Sequence, residues 1–261
     1  MALLGTFFKG SSLRPTEIIV LKVTDEYGDI IVADYDDYRV LRFEGINEQS
    51  KMLKSNVKLP VHNYIKAMLM AVAFTTTDNV LVLGLGGGVL VRTLNFIDNE
   101  IEIDVVELRK DVLSVARKCF SLPVSENISY HIEDAKRHLK KSIKHYDVIF
   151  SDLYSAFYMD PFQETESFLI TCRERMNYNG WLVINYHEIP RRESPLHRSL
   201  IKIFGEVLFC RVPSGNVIIF AAKIQSDFPI AERRIRAERL LDKLGMDLYF
   251  LSKNIAPFPR S

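Results

Sequence analysis

The sequence predicts an α/β fold: a mostly parallel sheet covered by helices on both faces and closed by an antiparallel hairpin, preceded by a small N-terminal β domain. Three observations carry this. From about residue 80 onward, short apolar β-rich runs alternate with segments of helical pattern, as right-handed βαβ crossovers require. Near the end, two apolar runs face each other across Ser214-Gly215, a hairpin pattern. Before residue 60, three β-rich runs are separated by turn-like segments.

The elements follow in order. EIIVLKV, DIIVAD and YRVLRF, within residues 16 to 44, are N-terminal hairpin strands separated by TDEYGD and DYDD. NYIKAMLMAVAF (63 to 74) is helical in composition. VLVLG (80 to 84), IDVVEL (103 to 108), ISYHIE (128 to 133), YDVIFSD (146 to 152) and WLVINY (181 to 186) are the parallel strands. Helical patterns lie between them: VLVRTLNFI, KDVLSVARKCF, AKRHLKKSI and a segment near 164 to 177. A helix near 195 to 204 leads to EVLFCRVP and NVIIFAAK, the terminal hairpin. The segment 231 to 244 is a docking helix, with Ala237, Leu240, Leu241 and Leu244 at helical spacing. The expected division is residues 1 to 60, a small β domain; 61 to 225, the main α/β domain; and 226 to 261, a helix and tail.

At 261 residues the chain can form one large domain with an appendage or two small ones. A composition of 48% hydrophobic and 26% charged residues excludes disorder, collagen and coiled coil. With 34 Lys and Arg against 33 Asp and Glu, no overall field draws the chain to nucleic acid or an anionic membrane. Cys119, Cys172 and Cys210 lie far apart. No C-x-x-C or Cys/His cluster with zinc spacing occurs, so reduced thiols and no metal are expected. The apolar part of MALLGTFFKG is too short for a secretory signal, and no apolar run nears the ~18 residues of a membrane span. A cytoplasmic location is expected.

The chemistry concentrates at strand ends. VLVLG runs into Gly84-Leu85-Gly86-Gly87-Gly88, where missing Cβ atoms let backbone approach a ligand and the next helix offers free N–H groups. As a dinucleotide fingerprint the loop fails at its last position, Val89. Glu107 ends the second strand 19 residues after Gly88, where a carboxylate meets two ribose hydroxyls. Asp134 follows the third strand and Asp152 ends the fourth. All share the carboxyl edge at which open α/β sheets bind ligands. Asp134 has a second reading, a plain helix N-cap.

These residues, with R-F-E-G-I-N-E-Q-S, N-Y-I-K-A-M-L, D-V-V-E-L, I-E-D-A and Y-D-V-I-F-S-D, make the chain resemble the spermidine-synthase-like branch of the class I S-adenosylmethionine (AdoMet)-dependent transferases. The resemblance runs over roughly residues 17 to 223. It implies a Rossmann-like AdoMet transferase sheet, a fold that also ends in an antiparallel hairpin. It further implies that Gly84, Gly86 and Gly88 pass the methionine part of the cofactor, that Glu107 holds the ribose and that Asp134 reads the adenine amino group. Asp152 would face the transfer centre, with Gln49 and Tyr64 closing the pocket. AdoMet or decarboxylated AdoMet would be the cofactor, and a homodimer is expected.

Two departures bear on the reaction. The family carries Asp within the glycine loop and a second Asp three residues after the one matching Asp152; Gly86 and Ser155 stand there. Both missing carboxylates would serve ammonium groups. The expectation is therefore methyl transfer to a small-molecule acceptor, with aminopropyl transfer to a polyamine as the alternative and a non-catalytic cofactor-binding protein as a third. Asp160 is a candidate substitute acid, or simply a turn residue before Pro161. Tyr154 and Phe157 are acceptor-pocket or packing residues. His187 and Glu188 are a base pair of groups or polar residues closing a strand. The basic runs at 136 to 144 and 233 to 239 read as solvated helix faces, with no nucleic acid expected.

Overall fold

The computed structural model describes residues 17–44, 48–155, 158–213, 215–246 and 249–259. Strands β1 (Ile18–Asp25), β2 (Gly28–Asp34), β3 (Tyr38–Phe43) and β4 (Glu48–Leu53) form an antiparallel sheet in the order β1-β2-β3-β4. The first three are the expected hairpin strands. β4, with the polar sequence EQSKML, lacks the β-branched signature and is held by its pairing with β3.

The main sheet begins after helix α1 (Asn63–Leu69) and a 3₁₀ turn at Met70–Ala73. Its elements are β5 (Asn79–Leu83), α2 (Val89–Ile97), β6 (Glu102–Glu107), α3 (Lys110–Cys119), β7 (Ile128–Ile132), α4 (Ala135–Lys141) and β8 (Tyr146–Ser151). There follow a 3₁₀ turn at Pro161–Glu164, α5 (Glu166–Glu174), β9 (Met176–Tyr186), α6 (Pro195–Ile203), β10 (Glu206–Arg211) and β11 (Val217–Ala222). Last come α7 (Ile230–Lys243), α8 (Tyr249–Lys253) and β12 (Ile255–Pro257).

Strand order is β12-β10-β11-β9-β8-β5-β6-β7. The pairs among β5 to β9 are parallel, and β11 enters antiparallel to β9. The chain starts the sheet at β5, travels outward to β7, then returns to β8 on the other side of β5. That reversal opens a crevice at the carboxyl ends of β5 and β8.

Alternation along β5 sends Val80 and Val82 to one face and Leu81 and Leu83 to the other, and all four are buried. The first face packs on α1, α2 and α7; the second packs on α4, α5 and α6. A third cluster joins Ile30, Val32, Leu41, Phe43 and Met52 of the N-terminal sheet to Val112, Val115, Cys119 and Phe120 in and just after α3. It holds the small sheet against α3, beside the crevice at the carboxyl edge. The three cysteines are free and buried, and no helix among the described residues is long and apolar enough to cross a membrane.

Three expectations are corrected. The hairpin does not close the sheet, because β12 pairs antiparallel with β10 beyond it; a three-residue strand ending in Pro257 is too short to show periodicity, and its proline is tolerated at an edge. The segment after 226 is thus two helices and a strand. The basic run in α7 is not a fully solvated face: Arg233 is buried in a two-bond pair with Glu206 (2.7 Å each) over the Trp181 ring, and Arg234 Nε donates to the Ile255 carbonyl at 3.0 Å. β9 begins at Met176 and not at Trp181, since its polar first turn carries no apolar alternation.

Candidate active site

A cleft of about 1020 Å³ lies between the N-terminal sheet and the carboxyl edge of the main sheet. Every proposed site residue but one, Gly88, lies along its wall: Gln49, Tyr64, Gly84, Gly86, Glu107, Asp134, Asp152, Tyr154 and Asp160. Gly88 caps α2 just behind it, in a left-handed conformation (φ 70°).

The glycine loop is shaped by two close approaches. Gly84 has φ +91°, and a Cβ there would lie 2.4 Å from the Asp152 carbonyl oxygen. Its N–H donates to Val106 O at 2.9 Å, while Asp152 N donates to Leu83 O at 2.9 Å. The loop and the end of β8 are therefore packed backbone to backbone, which only glycine permits. At Gly86, a Cβ would meet Ser50 Oγ at 2.8 Å. That hydroxyl accepts the Gly87 N–H at 2.8 Å, so β4 of the small sheet is bonded directly to the loop.

Glu107 accepts from Leu85 N at 3.1 Å and from Arg109 N at 2.8 Å. Burial pushes its carboxyl up, and the two N–H donors pull the other way. Arg109 in turn reaches the small sheet. Its Nε and a terminal nitrogen donate to Asp25 at 2.9 and 2.8 Å, that nitrogen also donates to Gly28 O at 2.8 Å, and its guanidinium lies 4.5 Å from the Phe43 ring centre.

Asp134 is the helix cap of the second reading and also lies at the cleft wall. It lines the cleft, and its side chain caps α4 by accepting from Arg137 N at 2.9 Å.

Asp152 sits where four elements meet. Asn185 Nδ2 of β9 donates to its Oδ1 at 2.8 Å, and the Tyr64 hydroxyl of α1 lies close enough to the same carboxylate to influence it. Burial raises the Asp152 pKa; Asn185 and Tyr64 oppose that rise, as does the charge of His187. Tyr64 is pushed well up by burial and then by the Asp152 charge. Asn216, from the turn between β10 and β11, donates to Asn185 Oδ1 at 3.0 Å. Tyr154 donates its hydroxyl to Asn185 O at 2.9 Å, its ring lies edge-on to His187, and burial raises its pKa.

The segment from Leu153 to Glu164 is tied down at its described residues. Tyr154 and Met159 form a bridge, Asp160 N donates to Leu153 O at 2.9 Å, and Ser155 Oγ donates to Tyr158 O at 3.0 Å. Asp160 spends an oxygen on Phe162 N at 2.9 Å, capping the 3₁₀ turn. Beneath them the fully buried Gln163 takes the Ser151 hydroxyl and donates to Leu153 O at 3.1 Å. Phe157 and Ser214 lie outside the described residues.

Sequence reasoning missed Ser50, Arg109, Gln163, Asn185 and Asn216. Only Asn185, inside the strand run W-L-V-I-N-Y, carried a signal, being the polar residue near the carboxyl end of an apolar strand. His187, given there as a base or a strand-closing residue, lines the cleft.

Residues 61–206 match the family model of the spermine/spermidine synthase domain. Among curated proteins, the chain is 28% identical over 233 residues to a polyamine aminopropyltransferase of Vibrio vulnificus, covering 84% of this chain and 77% of that protein. Among solved structures it resembles a probable spermidine synthase from Corynebacterium glutamicum (TM-score 0.71, 17% identity, 90% of this chain and 89% of the other). It also resembles human methyltransferase-like protein 13 in complex with SAH (TM-score 0.63, 23% identity, 74% and 99%). At those identities the two structures speak for a shared fold.

Proposed function

This chain belongs to the spermine/spermidine synthase domain family, and we propose that within it the protein moves an aminopropyl group from decarboxylated AdoMet to an amine of a polyamine. This reading takes the place of methyl transfer, which the two missing carboxylates favoured in the sequence. It is supported by the name of the curated relative, a polyamine aminopropyltransferase, and above all by the charge of the cleft. Glu48, Glu107, Asp134, Asp152 and Asp160 line it, against one guanidinium, Arg109, already paired with Asp25. Such a wall concentrates cations and repels the carboxylate that AdoMet itself carries. A cationic donor and a polyamine acceptor suit it.

In the proposed reaction Glu107 accepts hydrogen bonds from the donor's ribose hydroxyls, Asp134 faces its adenine, and the backbone from Gly84 to Gly88 passes its sulfur end. Gln49 and Tyr64 close the pocket. The acceptor nitrogen attacks the propyl carbon bonded to sulfur; the C–N bond forms as the C–S bond breaks, and methylthioadenosine leaves as a neutral thioether. The proton released by the nitrogen passes to Asp152, which Asn185 orients and whose burial raises its basicity. The sulfonium is already a good leaving group, so positioning carries much of the catalysis. Tyr154 walls the acceptor side, and Asp160 adds charge there.

A second reading, methyl transfer, is kept open by one specific observation. Ser155 is engaged with Tyr158, and the space a side chain at Gly86 would take holds Ser50 Oγ. No acid stands at either family position. Calorimetric titration of AdoMet and decarboxylated AdoMet side by side separates the readings. Tighter binding of decarboxylated AdoMet is expected; a preference for AdoMet favours the methyl reading.

A further inference from the structure

Where the edge strand β7 meets α4, three side chains converge to which the proposed reaction gives no catalytic or binding role. His131 is on β7, Glu133 follows it, and His138 is one turn into α4. One donor atom from each lies within 4.8 Å of the others. The two imidazole rings are 4.9 Å apart. We propose that His131, Glu133 and His138 bind a divalent transition-metal ion of the zinc class.

Each histidine is already held by a carboxylate through one nitrogen. His138 Nδ1 lies 2.9 Å from Glu133 Oε1, and His131 Nε2 lies 3.2 Å from Asp104 Oδ1. At His131 this is how metal-binding imidazoles are oriented, Asp104 fixing the tautomer and leaving Nδ1 for the ion. At His138 the ion would take the place of the proton between Nδ1 and Glu133 Oε1, two ligand atoms that already lie 2.9 Å apart. His138 is only 5% exposed, so that pair is largely shielded from water. Tetrahedral zinc, with bonds of about 2.0 to 2.2 Å to nitrogen and oxygen, holds its ligand atoms about 3.4 Å apart, so binding would draw together donors that now lie within 4.8 Å of one another.

Two lysines now neutralise the carboxylates: Lys141 Nζ is 2.7 Å from Glu133 and Lys144 Nζ is 2.9 Å from Asp104. Both are well exposed at the surface and free to swing into water when an ion arrives. The sequence reading looked for cysteine-containing spacings; the set His131-x-Glu133-x₄-His138 joins a strand end to a helix and becomes a cluster only when α4 folds back on β7. Because Asp134 follows Glu133 directly, an ion here would also stiffen the turn that enters the cleft.

The full-length protein, stripped with a chelator, should bind one Zn²⁺ per chain by calorimetry. Bound Co²⁺ should give visible bands without thiolate charge transfer, which excludes the three cysteines. His131→Ala, at a partly exposed position, should weaken binding at least about tenfold without loss of fold, and Lys141→Met should tighten it. His138→Gln should abolish binding if it folds. The proposal is overturned if the wild-type protein shows no saturable Zn²⁺ binding, or if His131→Ala binds Zn²⁺ unchanged.

Discussion

Asn185 donates to Asp152 at 2.8 Å across the ends of two adjacent parallel strands, β9 and β8. This bond fixes the carboxylate where, in the proposed reaction, acceptor and donor would meet, and it is backed by Asn216 from the terminal hairpin. Asp152→Asn keeps a side-chain oxygen but removes charge and basicity. Turnover should fall at least about tenfold, while donor affinity and thermal stability stay near wild type. Full activity in this variant would assign Asp152 a purely structural role.

The pH profile should carry the same signature. Burial raises Asp152 above its ordinary carboxylate value near ~4, and only the ionised form accepts a proton. The acid limb of kcat should therefore lie above the usual carboxylate range and vanish in Asp152→Asn. Stability has the opposite sign. A raised folded pKa favours the folded state fully below the unfolded value, and that contribution is lost as pH rises through the folded one. Asp152→Asn should therefore flatten this part of the stability profile, measured as the difference from wild type by chemical denaturation.

Glu107→Ala removes the acceptor at the end of β6. Donor binding should weaken by about 1.5 to 3 kcal/mol, the loss of hydrogen bonds to a charged group, measured by calorimetry. Unchanged affinity would place the ribose elsewhere. Binding of NADH by the wild-type chain would point instead to a dinucleotide site at this loop.

Gly84→Ala should be harmful for a reason remote from any ligand. The new methyl group would meet the Asp152 carbonyl oxygen at 2.4 Å, on a backbone with φ +91°. A cost of order 1 to 3 kcal/mol in stability is expected, together with lost turnover as Asp152 shifts. A variant with wild-type melting and activity would show that the two backbones are not packed this closely.

Arg109 links the small sheet to Glu107 by holding Asp25 with its side chain and Glu107 with its backbone N–H. Burial pushes Asp25 up, but the Arg109 hydrogen bond and the Tyr27 N–H hold it below its ordinary value. Its contribution is thus present above the unfolded pKa and lost as pH falls through the folded one. Asp25→Asn should cost about 2 kcal/mol and weaken donor binding as well. A stability loss with unaltered binding would uncouple the two.

Much of this was legible in the sequence because each signal was local. The alternation that placed β5 to β9, the glycine run and the acidic strand ends of Glu107, Asp134 and Asp152 are readable within a few residues. What escaped depends on distant parts meeting. Ser50 matters because β4 is laid against the glycine loop, 37 residues on in the chain; Arg109 because β1 and β2 turn beneath it; Asn216 because the hairpin returns to β9. β12 was invisible because three residues carry no period. The single glutamine that pins the Leu153 segment has no composition signature at all.

The most direct test of the account is product analysis by mass spectrometry, with the purified protein offered putrescine or spermidine and either decarboxylated AdoMet or AdoMet. The account predicts methylthioadenosine and an aminopropylated amine from decarboxylated AdoMet, in a reaction lost with Asp152→Asn. S-adenosylhomocysteine and a methylated acceptor from AdoMet, with no methylthioadenosine from the decarboxylated donor, would contradict it.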